Sequence, residues 1–176
     1  MRPLDSTVKL GLLCVLALTA CQPAPGATMS EAERRAKIEQ LVAQQRQRFP
    51  AVPSGTVDEV RAVLAEPGVV LVDVREANER RVSMIPGAIG REEFERRAAE
   101  LSGSKVVTYC TVGYRSASYA NELAAQGWDV LNMAGSILAW SHAGGELVDP
   151  EGNPTRRVHV YGPRWNLAAD GYEPVW

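Results

Sequence analysis

Three short runs of aliphatic residues, separated by helical patterns, constrain the fold of this chain more than any other feature. The runs are VVLVDV, KVVTY and DVLNM, at residues 69–74, 105–109 and 129–133. Continuous β-branched runs of this length are typical of strands that are buried on both faces of a sheet. Helical patterns surround them, at 57–64, 91–101, 116–126 and 135–140. This alternation predicts an α/β domain with a mostly parallel sheet.

A helical segment precedes this domain, which we place at residues 51–145. Ser30 and Glu33 form a capping box in front of a partial apolar stripe. The pattern predicts a helix over 31–48, within an N-terminal helical segment 31–50. This helix either packs on the domain or serves as a spacer.

A C-terminal extension, residues 146–176, follows the domain. Its first part, ELVDPEGNPTRRVHVYG, is typical of a hairpin with DPEGNP as the turn and with Val158 and Val160 on the second arm. The remaining tail is aromatic without a clear period, and we expect it to pack along the domain. With 176 residues and 45 % hydrophobic content, the chain suits one globular domain with such additional segments.

The N-terminal end of the chain has the pattern of a targeting signal. Arg2 and Lys9 precede or flank the apolar run LGLLCVLALTA, which is too short to span a bilayer comfortably. We assign residues 1–20 to a signal peptide and residues 21–30 to a tether. A buried N-terminal helix of the domain and a plain cleaved secretory signal are the alternatives.

The end of this apolar run resembles the lipobox of bacterial lipoproteins. The segment LTAC ends at Cys21, and the resemblance implies that this cysteine is lipidated and becomes the new N-terminus. Two or more acyl chains hold a protein stably on a membrane, whereas one chain holds it weakly. We therefore expect a lipid-anchored domain on the periplasmic side of a bacterial membrane. Gln22 does not resemble an inner-membrane retention signal, which favours the outer membrane.

Cysteine counting then isolates a single thiol. The chain has three cysteines, Cys14, Cys21 and Cys110. Because Cys14 leaves with the signal peptide and Cys21 is capped by lipid, Cys110 has no partner for an intrachain disulfide. A lone thiol in an exported protein is either buried or used.

Charge and histidine spacing argue against several other classes of protein. The net charge of −2 provides no basic excess for binding nucleic acid. His142 and His159 lie far apart in sequence, without the spacing of metal ligands. We therefore expect no nucleic-acid partner, no metal and no cofactor, and we interpret both histidines as structural or surface residues.

The sequence YCTVGYRS, residues 109–116, places the lone thiol in a loop suited to binding an anion. Cys110 follows a buried strand and precedes a helix, at the edge of the sheet where open α/β domains bind ligands. Free amides at the helix N-terminus and the charge of Arg115 favour the thiolate. Gly113 lets successive amides turn inward as a nest. The alternative is a small core cysteine, but a core position has no use for Gly, Tyr and Arg in so short a turn.

Four motifs in register resemble the single-domain rhodanese family. They are VDVRE at 72–76, IPGAI at 85–89, YCTVGYRS at 109–116 and VLNMAGSILAW at 130–140. The resemblance covers residues 51–145 and implies a rhodanese-like fold, with a five-stranded sheet wrapped by helices. It also implies a rhodanese-type sulfurtransferase, which moves sulfane sulfur through a cysteine persulfide.

The resemblance also assigns roles to individual residues. Cys110 is implied to take the outer sulfur of a small sulfur-containing anion such as thiosulfate and to pass it to a thiol or to cyanide. Main-chain amides of the loop are implied to hold that sulfur, and Arg115 to bind the anion. The implied substrate-binding residues are Thr111, Val112, Gly113, Tyr114 and Arg115. Asp73 and Arg75 match the family's DxR and are implied to be a structural ion pair near the loop.

Loop length separates this chain from related families. The related phosphatases and arsenate reductases use a loop one residue longer, commonly with His before the cysteine. Here six residues run from Cys110 to Arg115, and Tyr109 precedes them. A tighter loop suits a sulfur atom and crowds a phosphate, so we consider a phosphatase the weakest alternative.

Two departures from the family pattern keep a further alternative open. Thr111 stands where many members have a basic residue, and Ser83 and Met84 replace the frequent Gly-His before IPGA. With one cation on the loop, a bulkier or less charged persulfide becomes a candidate donor beside thiosulfate. The main alternative function is a non-catalytic rhodanese-like binding or thiol redox-sensor module.

Overall fold

The computed structural model describes residues 29–176. The predicted signal peptide at 1–20 and the predicted lipidation site Cys21 lie outside the described residues, as does most of the tether at 21–30. In the part of the chain that the structure describes, no helix combines the length and the apolar character needed to cross a membrane.

A five-stranded parallel sheet forms the centre of the fold. Its strands are Ser54–Gly55 (β1), Val69–Asp73 (β2), Ile89–Gly90 (β3), Lys105–Tyr109 (β4) and Asp129–Met133 (β5). Their order across the sheet is β1-β5-β4-β2-β3, so β4 lies in the middle. Every pairing is parallel, which confirms the predicted α/β class and the five-stranded sheet.

Helices lie on both faces of the sheet. They are Glu31–Arg48 (α1), Val57–Leu64 (α2), Ala77–Arg80 (α3), Arg91–Arg96 (α4), Tyr114–Ala125 (α5) and Ser136–His142 (α6). Side chains of successive strand residues alternate between two apolar layers. Val106 joins Phe94 of α4 and Leu123 of α5 in one layer, whereas Val107 joins Val60 of α2 and Ile137 of α6 in the other.

The predicted helix over 31–48 is confirmed, together with its capping box. The Ser30 side chain accepts the amide of Glu33, and the Glu33 carboxylate accepts the amide of Ser30. Ile38 and Gln45 of this helix are buried, and Ile38 belongs to the same apolar layer as α6. Of the two roles considered for α1, packing on the domain is therefore the one observed.

Helix α4 is shorter than its apolar pattern predicts. It ends at Arg96, and the chain then continues to Leu101 in turns, in which the Leu101 amide donates to the Arg97 carbonyl at 2.9 Å. These turns still place Leu101 against the apolar layer that contains Phe94. Periodicity predicted which residues face the core here, but not the end of the regular helix at Arg96.

The C-terminal extension contains the predicted hairpin, with a shorter second arm. Its strands are Leu147–Val148 (β6), Pro154–Thr155 (β7), Arg157–His159 (β8) and Glu173–Val175 (β9). β6 and β7 pair antiparallel, but β8 leaves the hairpin and pairs in parallel with β9. Val158 and Val160, predicted on the second arm of the hairpin, are instead fully buried in the main core. Burial of these two valines against the domain outweighs continuation of the hairpin.

A glycine at the start of α6 controls how closely α1 approaches. Gly135 has φ of +69°, and a Cβ there would lie 2.7 Å from Ala139 Cβ and 2.8 Å from Ile38 Cγ2. We expect Gly135→Ala to destabilise the fold by about 2–4 kcal/mol, because left-handed strain and overcrowding add. Urea unfolding followed by circular dichroism measures the change.

Gly144→Ala is the matched control for this substitution. Gly144 has a similar φ of +66°, but a Cβ there meets nothing within 4 Å. Gly144→Ala should therefore lose only the free energy of conformational strain, about 1 kcal/mol. Equal losses of unfolding free energy in both variants would mean that close packing of α1 on α6 contributes nothing to stability.

Candidate functional site

Cys110 lies at the carboxyl end of the central strand β4, in the loop that leads into α5. Cys110 is 2 % exposed and lines a pocket of about 270 Å³. The amide of Gly113 donates a hydrogen bond of 3.2 Å to Cys110 Sγ. Because α5 begins at Tyr114, the first amides of that helix have no acceptor within it and point toward the loop. The thiol is thus almost fully buried at the wall of the pocket, and a main-chain amide donates to it.

The beginning of α6 holds the cysteine loop in place. The Ser136 hydroxyl accepts the Cys110 amide at 3.0 Å and donates to the Met133 carbonyl at 3.2 Å. The amides of Ile137 and Leu138 donate to the carbonyls of Cys110 and Thr111. These bonds join two loops at the carboxyl edge of the sheet, so the main chain around the sulfur has one defined shape.

Gly113 provides the bend that returns an amide to the sulfur. Its φ is +115°, in the left-handed region that favours glycine. A Cβ at this position would make only ordinary contacts, the nearest being 3.6 Å from the Gly135 amide nitrogen. The backbone conformation, and not a lack of space, therefore requires glycine here.

Arg115 is held by a buried carboxylate that our sequence analysis did not identify. Its two terminal nitrogens lie 2.6 Å and 2.8 Å from the carboxylate oxygens of Glu79. Glu79 is 1 % exposed and also accepts the Thr111 hydroxyl at 2.9 Å and the Glu76 amide at 3.0 Å. One Arg115 nitrogen lies 3.0 Å from the same Thr111 oxygen. Arg115, Glu79 and Thr111 form a connected cluster beside Cys110, which we call the clamp.

The clamp is charged but nearly neutral as a whole. Burial raises the pKa of Glu79, yet hydrogen bonds and charge from Arg115 outweigh that effect and lower the pKa to about 2. Burial also opposes the charge of Arg115, but its bonds to Glu79 raise the pKa of Arg115 above the usual value. Burial lowers the pKa of the adjacent His159, which favours its neutral form. One positive and one negative charge therefore cancel within the clamp.

Glu79 carried only a weak signal in the sequence. It lies three residues after Glu76 in VREANER, a spacing that produces a short capping box on the four-residue helix α3. Such spacing is common at helix starts and does not indicate a partner 36 residues away. Only the parallel pairing of β2 and β4 brings α3 beside the loop that follows β4.

Asp73 and Arg75 form an ion pair beneath the site. Arg75 is 1 % exposed and lies 2.6 Å from a carboxylate oxygen of Asp73. A second bond of 2.7 Å runs from Arg75 to the Ser83 carbonyl. The Tyr109 hydroxyl accepts the Ile85 amide at 3.1 Å. These contacts fasten the IPGAI segment to the sheet, and none of them involves the cysteine sulfur.

Aromatic residues from outside the loop complete the pocket beside the thiol. The pocket is lined by Cys110, Thr111, Val112, Tyr114, Arg115, Tyr161 and Trp165. The last two belong to the C-terminal extension, and sequence analysis assigned them no role. All five predicted substrate-binding residues lie in the loop, and four of them line this pocket. Among residues 29–176, no group of His, Cys, Asp and Glu is arranged to hold a metal ion.

The match to a known family decides the identity of this domain. Residues 56–143, half of the chain, match the family model described as Rhodanese-like domain. The chain belongs to the rhodanese-like domain family. This assigns a sulfurtransferase-type family to the domain that carries Cys110, and it leaves α1 and the whole C-terminal extension outside the matched segment.

Similar proteins cover different shares of this rhodanese-like chain. A sulfurtransferase of Allochromatium vinosum is 39 % identical over 88 residues, which span 48 % of this chain and 82 % of that protein. A tRNA uridine(34) hydroxylase of Mesorhizobium japonicum is 31 % identical over 106 residues, which span 52 % of this chain and 34 % of that protein. The crystal structure of a thiosulfate sulfurtransferase from Pseudomonas aeruginosa superposes with a TM-score of 0.51 and 27 % identity, over 68 % of this chain and 23 % of that one.

Removal of the buried carboxylate should destabilise the rhodanese-like domain in a pH-dependent way. We expect Glu79→Gln to cost about 2–3 kcal/mol at neutral pH, somewhat below the loss for a fully buried pair because the Arg115 side chain is 32 % exposed. The pKa of Glu79 in the fold, about 2, lies below its ordinary value of 4.5. Its contribution is therefore complete above that ordinary value and is lost as the pH falls toward about 2. Urea unfolding at several pH values measures this dependence.

Glu95→Gln is the control for the clamp. Glu95 pairs with Arg91 at 2.7 Å, but both side chains are largely exposed. Exposed pairs contribute at most about 1 kcal/mol. If the difference between wild type and Glu79→Gln stayed constant down to acid pH, the assignment of a charged Glu79 would be wrong.

Proposed function

We propose that this protein is a sulfurtransferase that carries sulfane sulfur as a persulfide on Cys110. The observation that carries the proposal is the placement of Cys110 Sγ beside a pocket, with the Gly113 amide 3.2 Å away. Membership of the rhodanese-like family and the similarity to a sulfurtransferase support the same chemistry. The donor is a sulfur compound such as thiosulfate, and the acceptor is a thiol or cyanide.

The reaction consists of two displacements at sulfur. The Cys110 thiolate attacks the outer sulfur of thiosulfate, the S–S bond breaks, and sulfite leaves with the electron pair. The acceptor, for example cyanide, then attacks the outer sulfur of the persulfide, and thiocyanate leaves while the thiolate is restored. Electrons and charges balance without an oxidant or a reductant.

Main-chain amides supply the stabilisation that this chemistry needs. The outer sulfur of a persulfide is an anion, and preorganised N–H groups are well suited to hold it. The Gly113 amide and the free amides of the first turn of α5 are the donors within reach of the loop. Arg115, paired with Glu79, maintains the shape of the loop at one side.

Substitution of the cysteine tests the proposed reaction directly. We expect Cys110→Ser to abolish transfer of sulfur from thiosulfate to cyanide, because a hydroxyl cannot form a persulfide. Purified full chain is mixed with both compounds, and thiocyanate is measured. The double variant Cys110→Ser with Ser102→Cys moves a thiol to an exposed turn and should remain inactive.

Intact mass after donor treatment separates this proposal from a redox sensor. Wild-type protein should gain the mass of one sulfur atom and lose it again when the acceptor is added. A sulfenic acid or a mixed disulfide without transfer of sulfur would favour the sensor function. Full activity in Cys110→Ser, or no transfer from any sulfane donor, would refute the sulfurtransferase.

We also propose that the chain is exported and anchored by lipid at Cys21, facing the periplasm from the outer membrane. The support is the sequence alone: a short apolar run, the segment LTAC and Gln22 behind it. The anchor would place the sulfur-transferring domain at a membrane surface, and α1 would lie between the anchor and the sheet.

Metabolic labelling with a fatty-acid analogue tests the anchor. We expect the wild-type chain to incorporate the label and to fractionate with the outer membrane, and Cys21→Ser to lose the label. Cys14→Ser, a change within the predicted signal peptide, should leave labelling intact. Label retained in Cys21→Ser would rule out lipid attachment at this cysteine.

A further inference from the structure

The C-terminal extension contributes a wall to the pocket beside the thiol. Tyr161 and Trp165 line it together with the loop residues. Both lie beyond residues 56–143, the segment that matches the rhodanese-like family. The pocket of this chain is therefore partly built by residues that the family model does not contain.

Core packing fixes the position of this wall. Val158 and Val160, which precede Tyr161, are fully buried among the main apolar residues. The Val160 amide donates to the Val175 carbonyl at 2.8 Å, next to the pairing of β8 with β9. Leu167, just after Trp165, is also buried in the same layer. The two aromatic residues thus project from an anchored segment.

Tyr161 adopts a conformation that most residues avoid. Its φ is +68°, in the left-handed region, and the cost of such a position is on the order of 1 kcal/mol or more. Its amide donates to His159 Nδ1 at 3.1 Å, which holds the bend. The ring then lies with its centroid 5.6 Å from the Arg115 guanidinium carbon. The strained backbone places an aromatic ring over the only guanidinium in the pocket lining.

The N-terminal segment supports the opposite rim. Tyr114 lies at the pocket and is 53 % exposed, and its ring packs edge-on against Phe49 with centroids 5.3 Å apart. Phe49 caps α1, which also lies outside the matched family segment. The N-terminal flank therefore supports the Tyr114 ring at the pocket through Phe49, and the C-terminal flank adds the rings of Tyr161 and Trp165.

The charges of the site do not favour a compact dianion. Arg115 is already engaged by Glu79, and the Tyr161 ring lies against it. A doubly charged ion placed among aromatic walls would lose hydration without gaining a free cation. The pocket of about 270 Å³ has a mostly apolar lining, to which Val112, Tyr114, Tyr161 and Trp165 contribute. An apolar lining suits a small organic group better than thiosulfate, because a dianion loses its hydration there.

We propose that the natural donor is a low-molecular-weight organic persulfide, R–S–SH, with an apolar or planar R group, and that Tyr161 and Trp165 determine this specificity. The proposal rests on the sulfurtransferase function proposed above. The Cys110 thiolate attacks the outer sulfur, the S–S bond breaks, and its electron pair leaves on the R–S sulfur as a thiolate. The outer sulfur moves with its proton and then releases it to solvent, so the products are the anionic Cys110 persulfide, a proton and RS⁻. R rests against the aromatic wall during the transfer.

A comparison of two donors, each used alone, tests this specificity. Full chain is mixed with benzyl persulfide, generated in situ, or with thiosulfate, and Cys110 persulfide formation is followed by rapid quench and intact mass. We expect the second-order rate constant for loading of Cys110 by benzyl persulfide to exceed that for loading by thiosulfate by about tenfold or more. This factor is the effect of burying one ring. Trp165→Ala and Tyr161→Asn should each reduce that preference by about tenfold. Asn is chosen because it tolerates the left-handed backbone.

Two controls keep the outcomes distinct. Tyr161→Phe retains the ring and should retain the preference, whereas Trp176→Ala removes an exposed aromatic that does not line the pocket and should change neither rate. Thermal melting verifies that each variant is folded. Faster loading from thiosulfate, or an unchanged preference in both wall variants, would overturn the specificity while leaving the sulfurtransferase intact. Failure of every donor to load Cys110 would instead refute the proposed function.

Discussion

The ion pair between Glu79 and Arg115 is the interaction on which the organisation of the site depends. It joins α3, which follows β2, to the first turn of α5, which follows β4. Because Glu79 is buried, leaving it without a partner would cost several kcal/mol, so Arg115 is held in one orientation. Thr111 bonds to both groups and ties the residue after the cysteine to the same cluster. The loop thereby gains a defined shape but little net charge.

Neutralisation of the loop changes how the site can recognise a ligand. A free guanidinium would attract anions over a distance, whereas a paired one acts at short range through shape and contact. In this chain, aromatic rings supply the contact surface: Tyr114, which the N-terminal flank supports through Phe49, and Tyr161 and Trp165 of the C-terminal flank. The flanks are therefore part of the site and not merely attachments to it.

The sequence predicted the elements whose patterns are long enough to be distinctive. β4 and β5, at 105–109 and 129–133, have the predicted bounds, because aliphatic runs between helices have few other interpretations. The two-residue strands β1 and β3 have no periodicity, and only the family resemblance implied five strands. The predicted second arm of the hairpin was wrong beyond Thr155. Burial of Val158 in the core determines that β8 pairs with β9 and not with β6.

The sequence by itself determined the fold class, the position of Cys110 after a buried strand, and the glycine-containing turn that leads into a helix. These follow from local patterns, since strands, caps and turns are set by neighbouring residues. Only the tertiary structure decided that Glu79 neutralises Arg115 and that Tyr161 and Trp165 reach the pocket. Glu79 lies 36 positions before Arg115, and Trp165 lies 55 positions after Cys110. No local pattern encodes a contact over such a distance, because it depends on how the whole chain packs.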